Sequence, residues 1–417
     1  MMRLAALLAA LLVALAPARA LELSAGEKAR LSAQFRDWLR REIWPRAHRQ
    51  GIPRRVFDAA LGHVKPIFTL PDLAPPGHPP LPPERRQAEF AAPKRYFNER
   101  SIAILAKRGR ALAKRHAALL TRIERRFGVP GAIVLAIWAR ESNYGRAAIR
   151  HDAFAILATQ AFIGRRKKTF RRELIAALKM VASGAVPLSR MKSSWAGALG
   201  QPQFMPGDYL AYAVDVDGDG RRDIWRSVPD VLASIANHLA RHGWRRGVPW
   251  GVEVRLPKHV PCHLEGPDRG RPLAEWRRMG VRRVNGRPFP ASWRKERIFL
   301  LIPAGRYGPA FLVSRNFHVI KEYNMSDLYA LFIGHLADRI RGRARGPFAT
   351  RWGDVGHLTR ADVARMQRRL ERMGHDVGGV DGLPGFRTRR SIGRFEQSRG
   401  LPPSCFPTAR LKRLLAR

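Results

Sequence analysis

One helix constrains this chain more than any other feature. In the stretch from Gly128 to Gly145 (GVPGAIVLAIWARESNYG), Val134, Ile137, Trp138 and Glu141 recur at i, i+3, i+4 and i+7, so a carboxylate ends the apolar stripe. Pro130 suits an early helical position and Gly145 suits a stop, which puts Glu141 at the helix exit, half in the core. Burial disfavours the charged carboxylate and raises its pKa toward neutrality, the condition a general acid needs. The competing reading is a Glu that turns to solvent in the last turn. Perturbed acids are a minority, so the rest of the chain has to decide.

A chain of 417 residues can build two or three domains with a substantial core. Residues 1–20 stand outside that core. Arg3 precedes an apolar run from Leu4 to Ala16, and Ala18-Arg19-Ala20 has the small-x-small pattern of signal peptidase cleavage. The run is too short to span a bilayer and no cysteine lies near it, so the reading is an exported, periplasmic chain starting at Leu21, without a lipid anchor or stable membrane insertion. Residues 71–84 are Pro-rich and read as an extended surface connector. Helical spacing runs through 101–127, 130–144, 169–183, 229–242 and 326–340. Between Trp250 and Tyr323 the texture turns to short β-rich runs at 252–256, 298–302 and 310–313, which predicts a small sheet inserted in a helical domain. Residues 341–350 read as a linker. The stretch 351–417 reads as a small separate helical unit, with Val363, Met366, Leu370 and Met373 on one helix and Ile392 and Phe395 on a second.

Cys262 and Cys405 lie far apart in sequence and in different predicted domains, so the expectation is two free thiols. The formal charge of +44 would point a cytosolic protein toward nucleic acid. Export redirects it to anionic cell-wall polymers and lipid head groups. With no basic recognition helix or zinc motif, a nucleic-acid partner is excluded, and arginine spread along all the helices is equally read as plain compositional bias.

Downstream, residues 193–209 (SSWAGALGQPQFMPGDY) bring small residues at Ala196, Gly197, Ala198 and Gly200 beside the neutral polar groups of Ser194, Gln203 and Tyr209. With the faces of Trp195 and Tyr209 they suit a sugar polymer better than a phosphate; a Gly/Ala helix-packing seam is the alternative. The run Asp215 to Asp223 (DVDGDGRRD) carries the 1, 3, 5 carboxylates and sixth-position Gly of a calcium loop, but Arg226 stands where the bidentate Glu belongs. A metal-free Asp/Gly turn remains an equal reading, and any ion would be structural.

The residues 139–145 (ARESNYG), then 194–206 (SWAGALGQPQFMP), then Tyr323-Asn-Met-Ser326 and Tyr329 resemble, in order and spacing, the B-type lytic murein transglycosylases, over about residues 25 to 340. The resemblance implies a mainly α fold: a lysozyme-like helical catalytic domain over 21–340 with a small β-containing insertion, cleaving the MurNAc-GlcNAc bond of peptidoglycan to leave 1,6-anhydro-MurNAc ends. It assigns the single catalytic acid to Glu141 and the glycan contacts to Ser194, Gln203, Tyr323, Asn324, Tyr329 and Tyr96. Some relatives bind calcium with a later acid, here Asp230, so the candidate set is Asp215, Asp217, Asp219, Asp223 and Asp230; no cofactor is required. Gly207-Asp208 departs from the family's two small hydroxyl residues. The unit at 351–417, with Asp381-Gly, Gly385 and Thr388-Arg, resembles the helical peptidoglycan-binding domain of wall hydrolases. The expected partner is the glycan strand. Rival readings are a non-catalytic glycan binder and a hydrolase of the same bond, the latter needing Asp208 or Asp152 to activate water.

Overall fold

The computed structural model describes residues 23–78, 93–355 and 358–416. The export segment at 1–20 and residues 79–84 of the Pro-rich stretch lie outside them. The chain divides into two units, Met1–Pro82 with Arg150–Gly197, and Pro83–Ile149 with Ala198–Arg417.

In the first unit, Ser24 and Glu27 close a capping box at the start of the helix Ala25–Trp38, which passes through a π turn, Leu39–Ile43, into Trp44–Arg49. Phe35, Trp38 and Phe162 pack as an aromatic triangle with ring centroids 5.3–5.8 Å apart. The helix Ala153–Ile163 is buried nearly all round, and Asp152 caps it by accepting from the Ala155 amide at 2.9 Å. The Pro-rich stretch is not a free connector at its start. Leu73 is buried, Asp72 turns the backbone at φ 65°, and the Ala74 amide donates to the Ile163 carbonyl at 2.7 Å. Those bonds satisfy the end of the helix, which is why the segment folds back rather than running extended.

The second unit is built on the helix Gly131–Ser142, whose residues Gly131 to Ala139 are all buried. Around it pack Glu99–Arg115, Ala117–Phe127, Val228–Arg241 and Asp327–Ile340. The single helical run expected over 101–127 is two helices, broken at His116 with φ −107° and ψ 24°. Close approach is bought with glycine at two places: a Cβ at Gly109 would meet Ile340 and the Tyr144 hydroxyl at 2.6 Å, and one at Gly334 would collide with the Trp250 ring.

The expected insertion is a five-stranded antiparallel sheet in the order Arg271–Pro272, Arg297–Leu301, Ala310–Val313, Gly251–Arg255, Arg282–Arg283. Its central strands are covered on both faces. Ile298, Leu300 and Leu312 face a cluster with Trp276 and Trp293, while Leu301, Phe311 and Val313 join the helical core. Two buried faces explain why these strands read as unbroken apolar runs.

The C-terminal helices Arg360–Arg372, Phe386–Ser398 and Ala409–Ala416 enclose Met366, Leu370, Ile392, Phe395 and Leu411. The expectation of free thiols is overturned: Cys262 and Cys405 form a disulfide across a sequence separation of 143 residues. Both are fully buried in the cluster behind the sheet, so folding brings together two residues whose spacing in sequence gave no hint of pairing. Beside them, Arg389 pairs with Glu265 at 2.7 Å and with Asp327 at 3.0 Å.

Candidate active site

The helix Gly131–Ser142 ends because Asn143 takes the left-handed conformation at φ 51°, followed by Tyr144 at 59° and Gly145 at 77°. Asn143, one of the few non-glycine residues that tolerates this region, is thus the cap, two residues before the expected Gly145 stop. Arg108 donates to the Asn143 side chain at 2.9 Å, and the Tyr144 hydroxyl donates to the Leu105 carbonyl at 2.8 Å. This turn holds Glu141 in the last helical turn, half-buried. The next residue back, Arg140, is drawn away onto the rings of Tyr96 (4.6 Å) and Phe332 (5.2 Å), and donates to the Tyr96 hydroxyl at 2.9 Å.

Burial pushes the Glu141 carboxyl up to about 7, against the opposing pull of the Tyr329 hydroxyl and the Arg140 charge. The Tyr329 hydroxyl donates to Glu141 Oε1 at 2.5 Å. Tyr329 is fully buried near the start of Asp327–Ile340, a helix capped by Ser326. The Tyr323 ring lies parallel to it at 6.5 Å, and its hydroxyl donates to the Pro202 carbonyl at 2.7 Å. Burial and the nearby Glu141 charge raise both tyrosines well above 10, so both remain hydroxyl donors.

Pro202 belongs to a tight loop closed by paired backbone bonds between Leu199 and Phe204. Gln203 sits there at φ 56° with its side chain folded onto the Gly200 carbonyl at 2.9 Å. The loop is pinned by a residue that sequence reasoning missed. Gln201 accepts from the Trp138 indole at 2.8 Å and donates to the Trp225 carbonyl at 2.8 Å, joining the loop to the helix Gly131–Ser142. Its one signal was a second glutamine in the same motif. His238, also missed, is packed between Phe204, Tyr212 and Tyr323, and burial lowers its pKa to about 3, so it is neutral.

The structure therefore gathers Glu141, Tyr329, Tyr323, Gln203 and Tyr96 in the second unit. Asn324 is exposed at the end of the helix Arg315–Tyr323, its side chain accepting from the Ser326 amide at 3.3 Å. Ser194 belongs to the first unit, where it follows the strand Lys192–Ser193; its carbonyl accepts from the Ser193 hydroxyl and the Gly197 amide, both at 3.0 Å. Beside it Trp195 is 44% exposed, but Tyr209 is fully buried against Trp225 under Arg222, so it offers no face to a sugar. Its position inside the helix Pro206–Tyr212 turns it to the core.

Asp215, Asp217 and Asp219 bring carboxylate oxygens within 4.8 Å of one another. Asp223 and Asp230 of the wider set lie outside that group of three. Asp230 is fully buried, with its oxygens accepting from the Val216 and Asp223 amides at 2.9 and 2.8 Å; Asp223 itself accepts from the Trp225 and Arg226 amides at 3.0 Å. Both carboxylates help to shape the loop, as Asp215 does through the Gly218 and Gly220 amides.

The family described as Transglycosylase SLT domain matches residues 34–338. The chain belongs to it. A second family, described as a peptidoglycan binding domain, matches residues 359–413. The transglycosylase family is one of glycan-cleaving lyases, which agrees with the mainly helical, lysozyme-like fold. SltB3 of Pseudomonas aeruginosa, solved in complex with NAG-anhNAM-pentapeptide, is 38% identical, with 94% of this chain and 99% of that one aligned at a TM-score of 0.80. Membrane-bound lytic murein transglycosylase B of Escherichia coli is 30% identical over 215 residues, covering 51% of this chain and only 58% of that protein. The Escherichia coli lytic transglycosylase Slt35, solved in complex with calcium, shares the fold at 23% identity and a TM-score of 0.56, with 75% of this chain and 93% of that one covered.

Proposed function

We propose that this protein is a lytic transglycosylase of peptidoglycan that cleaves the MurNAc-GlcNAc β-1,4 bond and leaves 1,6-anhydro-MurNAc ends. The observation that carries the reading is Glu141, a carboxyl held protonated near neutral pH with its Oε1 occupied by the Tyr329 hydroxyl. That bond leaves Oε2 to carry the proton. Glu141 donates it to the leaving glycosidic oxygen while the substrate's own acetamido group stabilises the positive charge at C1. The carboxylate so formed, steadied by Tyr329, then takes the proton of the C6 hydroxyl of the same MurNAc, and the intramolecular attack outpaces water through its high effective concentration. Either Ser194 or Asn324 is the candidate for holding the acetamido group, and Gln203, Tyr323 and Tyr96 are the candidates for contacting the glycan.

A hydrolase would need a second carboxylate placed to activate water. The two candidates have other work: Asp152 caps Ala153–Ile163, and Asp208 accepts from the Met205 amide at 3.3 Å. That SltB3 is solved in complex with NAG-anhNAM-pentapeptide supports the same choice. Export to the periplasm is supported by the signal-like residues 1–20 and by the Cys262–Cys405 disulfide, which persists in oxidising compartments. Among the described residues no helix is long and apolar enough to cross a membrane. The converging carboxylates of Asp215, Asp217 and Asp219 fit a hard cation, and they would hold calcium as a brace for the loop. The unit matching 359–413 would retain the enzyme on the wall.

Mass spectrometry of products from purified sacculi in ¹⁸O-labelled water tests the mechanism. Unlabelled anhydro ends are expected. Label on the new chain ends would replace the transglycosylase reading with hydrolysis.

A further inference from the structure

The insertion sheet carries a feature that glycan cleavage does not use. Its edge strand Arg282–Arg283 pairs antiparallel with Gly251–Arg255, setting Arg282 directly opposite Arg255 and Arg283 opposite Val254. Like charges facing across a strand pair repel. Three more arginines do not relieve this but add to it: Arg277 from the helix Leu273–Arg278, Arg287 from the following loop and Arg294 beyond it line the same cleft as Arg255, Arg282 and Arg283, of about 800 Å³. No carboxylate lines it. Among the described residues none of the six guanidinium groups has an ion-pair partner, while arginines elsewhere in the sheet region, Arg245, Arg271 and Arg390, do pair with acids. The acid whose charge Arg283 feels, Asp338, is buried and bonded to the Trp250 indole.

The cleft is also held in shape. Arg282 donates to the Arg277 carbonyl at 3.1 Å and Arg283 to the Pro288 carbonyl at 2.8 Å, which braces the segments before and after the edge strand while both residues line the cleft. Phe289, stacked on the buried Trp293 at 6.2 Å, gives one apolar wall. Six uncompensated cations gathered around one open cleft, five of them solvent-exposed, repel one another and raise a local positive potential that favours a counter-charge of high density. A carboxylate supplies a single charge to each guanidinium. A phosphate group brings up to about two charges and three acceptor oxygens matched to the guanidinium fork.

We propose that this cleft binds a ligand bearing neighbouring phosphate groups, through Arg255, Arg277, Arg282, Arg283, Arg287 and Arg294. The source is either a phosphate-rich lipid surface or a soluble organic phosphate. The test uses the full chain with pyrophosphate as the probe, by calorimetry at about 150 mM salt, where bulk attraction is screened beyond roughly 8 Å. Two double variants, Arg282→Gln with Arg287→Gln and Arg277→Gln with Arg294→Gln, are compared with an equal-charge control, Arg30→Gln with Arg36→Gln, on the exposed face of another helix. Each cleft variant is expected to weaken pyrophosphate binding by about tenfold or more, as P–O⁻ contacts to two guanidinium forks are lost, with the control changed less than about twofold. Because the substitutions relieve repulsion, the melting temperature of the cleft variants should not fall. Co-sedimentation with phosphatidylglycerol vesicles that the cleft variants lose identifies the lipid surface; vesicles that fail to bind while pyrophosphate does identify the soluble ligand. Equal weakening in cleft and control variants, or no pyrophosphate binding by the parent chain, overturns the proposal in favour of diffuse charge.

Discussion

At Glu141 burial and one hydroxyl act in opposite directions, and burial wins: the carboxyl rests at about 7 rather than its ordinary 4.5. Activity should therefore decline as pH rises through about 7, when the proton to be donated is lost. Stability follows the same group. A folded pKa above the unfolded one means the contribution is complete below about 4.5 and fades as pH climbs through about 7. Glu141→Gln should abolish turnover, match the parent's melting temperature at acid pH and exceed it at alkaline pH; a variant that is less stable at alkaline pH would refute the buried-acid account. Tyr329→Phe removes the bond that holds this pKa down, so the alkaline limb of its pH–rate profile should move upward while kcat falls for want of an oriented carboxyl. An unmoved limb would separate Tyr329 from the acid. Much of this site was legible in sequence because the stripe Val134, Ile137, Trp138, Glu141 is local. Gln201 was not, since its bond to Trp138 spans 63 residues and leaves no periodic trace. Tyr209 misled for the opposite reason, an aromatic whose motif neighbours are polar but whose helix turns it inward.

Elements were readable where one face is wet and obscure where none is. The helix Val228–Arg241 shows its spacing plainly, whereas Ala153–Ile163 is buried on nearly every side and offers no polar face to set a period. The break at His116 is equally silent, because apolar spacing continues across it without proline or glycine. The acidic loop is held by the carboxylates of its own motif. Asp215 accepts from the Gly218 and Gly220 amides at 2.7 and 2.9 Å, so the turn forms from its own bonds, and Asp230 closes it from beneath. Asp230→Ala should destabilise the protein by about 2–4 kcal/mol with or without calcium, by stranding the Val216 and Asp223 amides. Asp217→Asn should matter only when calcium is present, where it should erase any rise in melting temperature. A calcium-insensitive melting curve in the parent chain would retire the metal, and a harmless Asp230→Ala would retire the closing role.

For the molecule as a whole, the C-terminal helices are joined to the rest of the second unit by more than the chain itself. Arg389, buried, donates to both oxygens of buried Glu265 at 2.7 and 2.9 Å and to Asp327 at 3.0 Å. Burial works against the Asp327 charge, yet Lys321 and Arg389 hold its pKa down at about 2. Asp327 opens the helix that carries Tyr329, so this contact bears on the acid through two residues of backbone. The cystine beside it closes a loop of 143 residues, and restricting so long a loop in the unfolded chain is worth about 5 kcal/mol at most. None of this could be read in sequence, because a lone acid, a lone arginine and two distant cysteines carry no spacing signal. A buried pair is weak evidence for stability as a pair but strong evidence against removing half of it. Arg389→Met should therefore cost about 3–5 kcal/mol by leaving buried Glu265 with the Ile302 amide but no counter-charge, whereas Glu265→Met combined with Arg389→Met should recover most of that loss. Denaturant unfolding of the parent, both single variants and the double variant measures the coupling directly. The single variant should also lose turnover beyond its loss of folded fraction, as Asp327 keeps Lys321 but loses the second of its two cationic partners, and the double variant should not restore that part. If the double variant is no more stable than Arg389→Met alone, the pair is not what joins these helices to the rest of the unit, and the disulfide with the Arg390–Asp268 pair carries the connection.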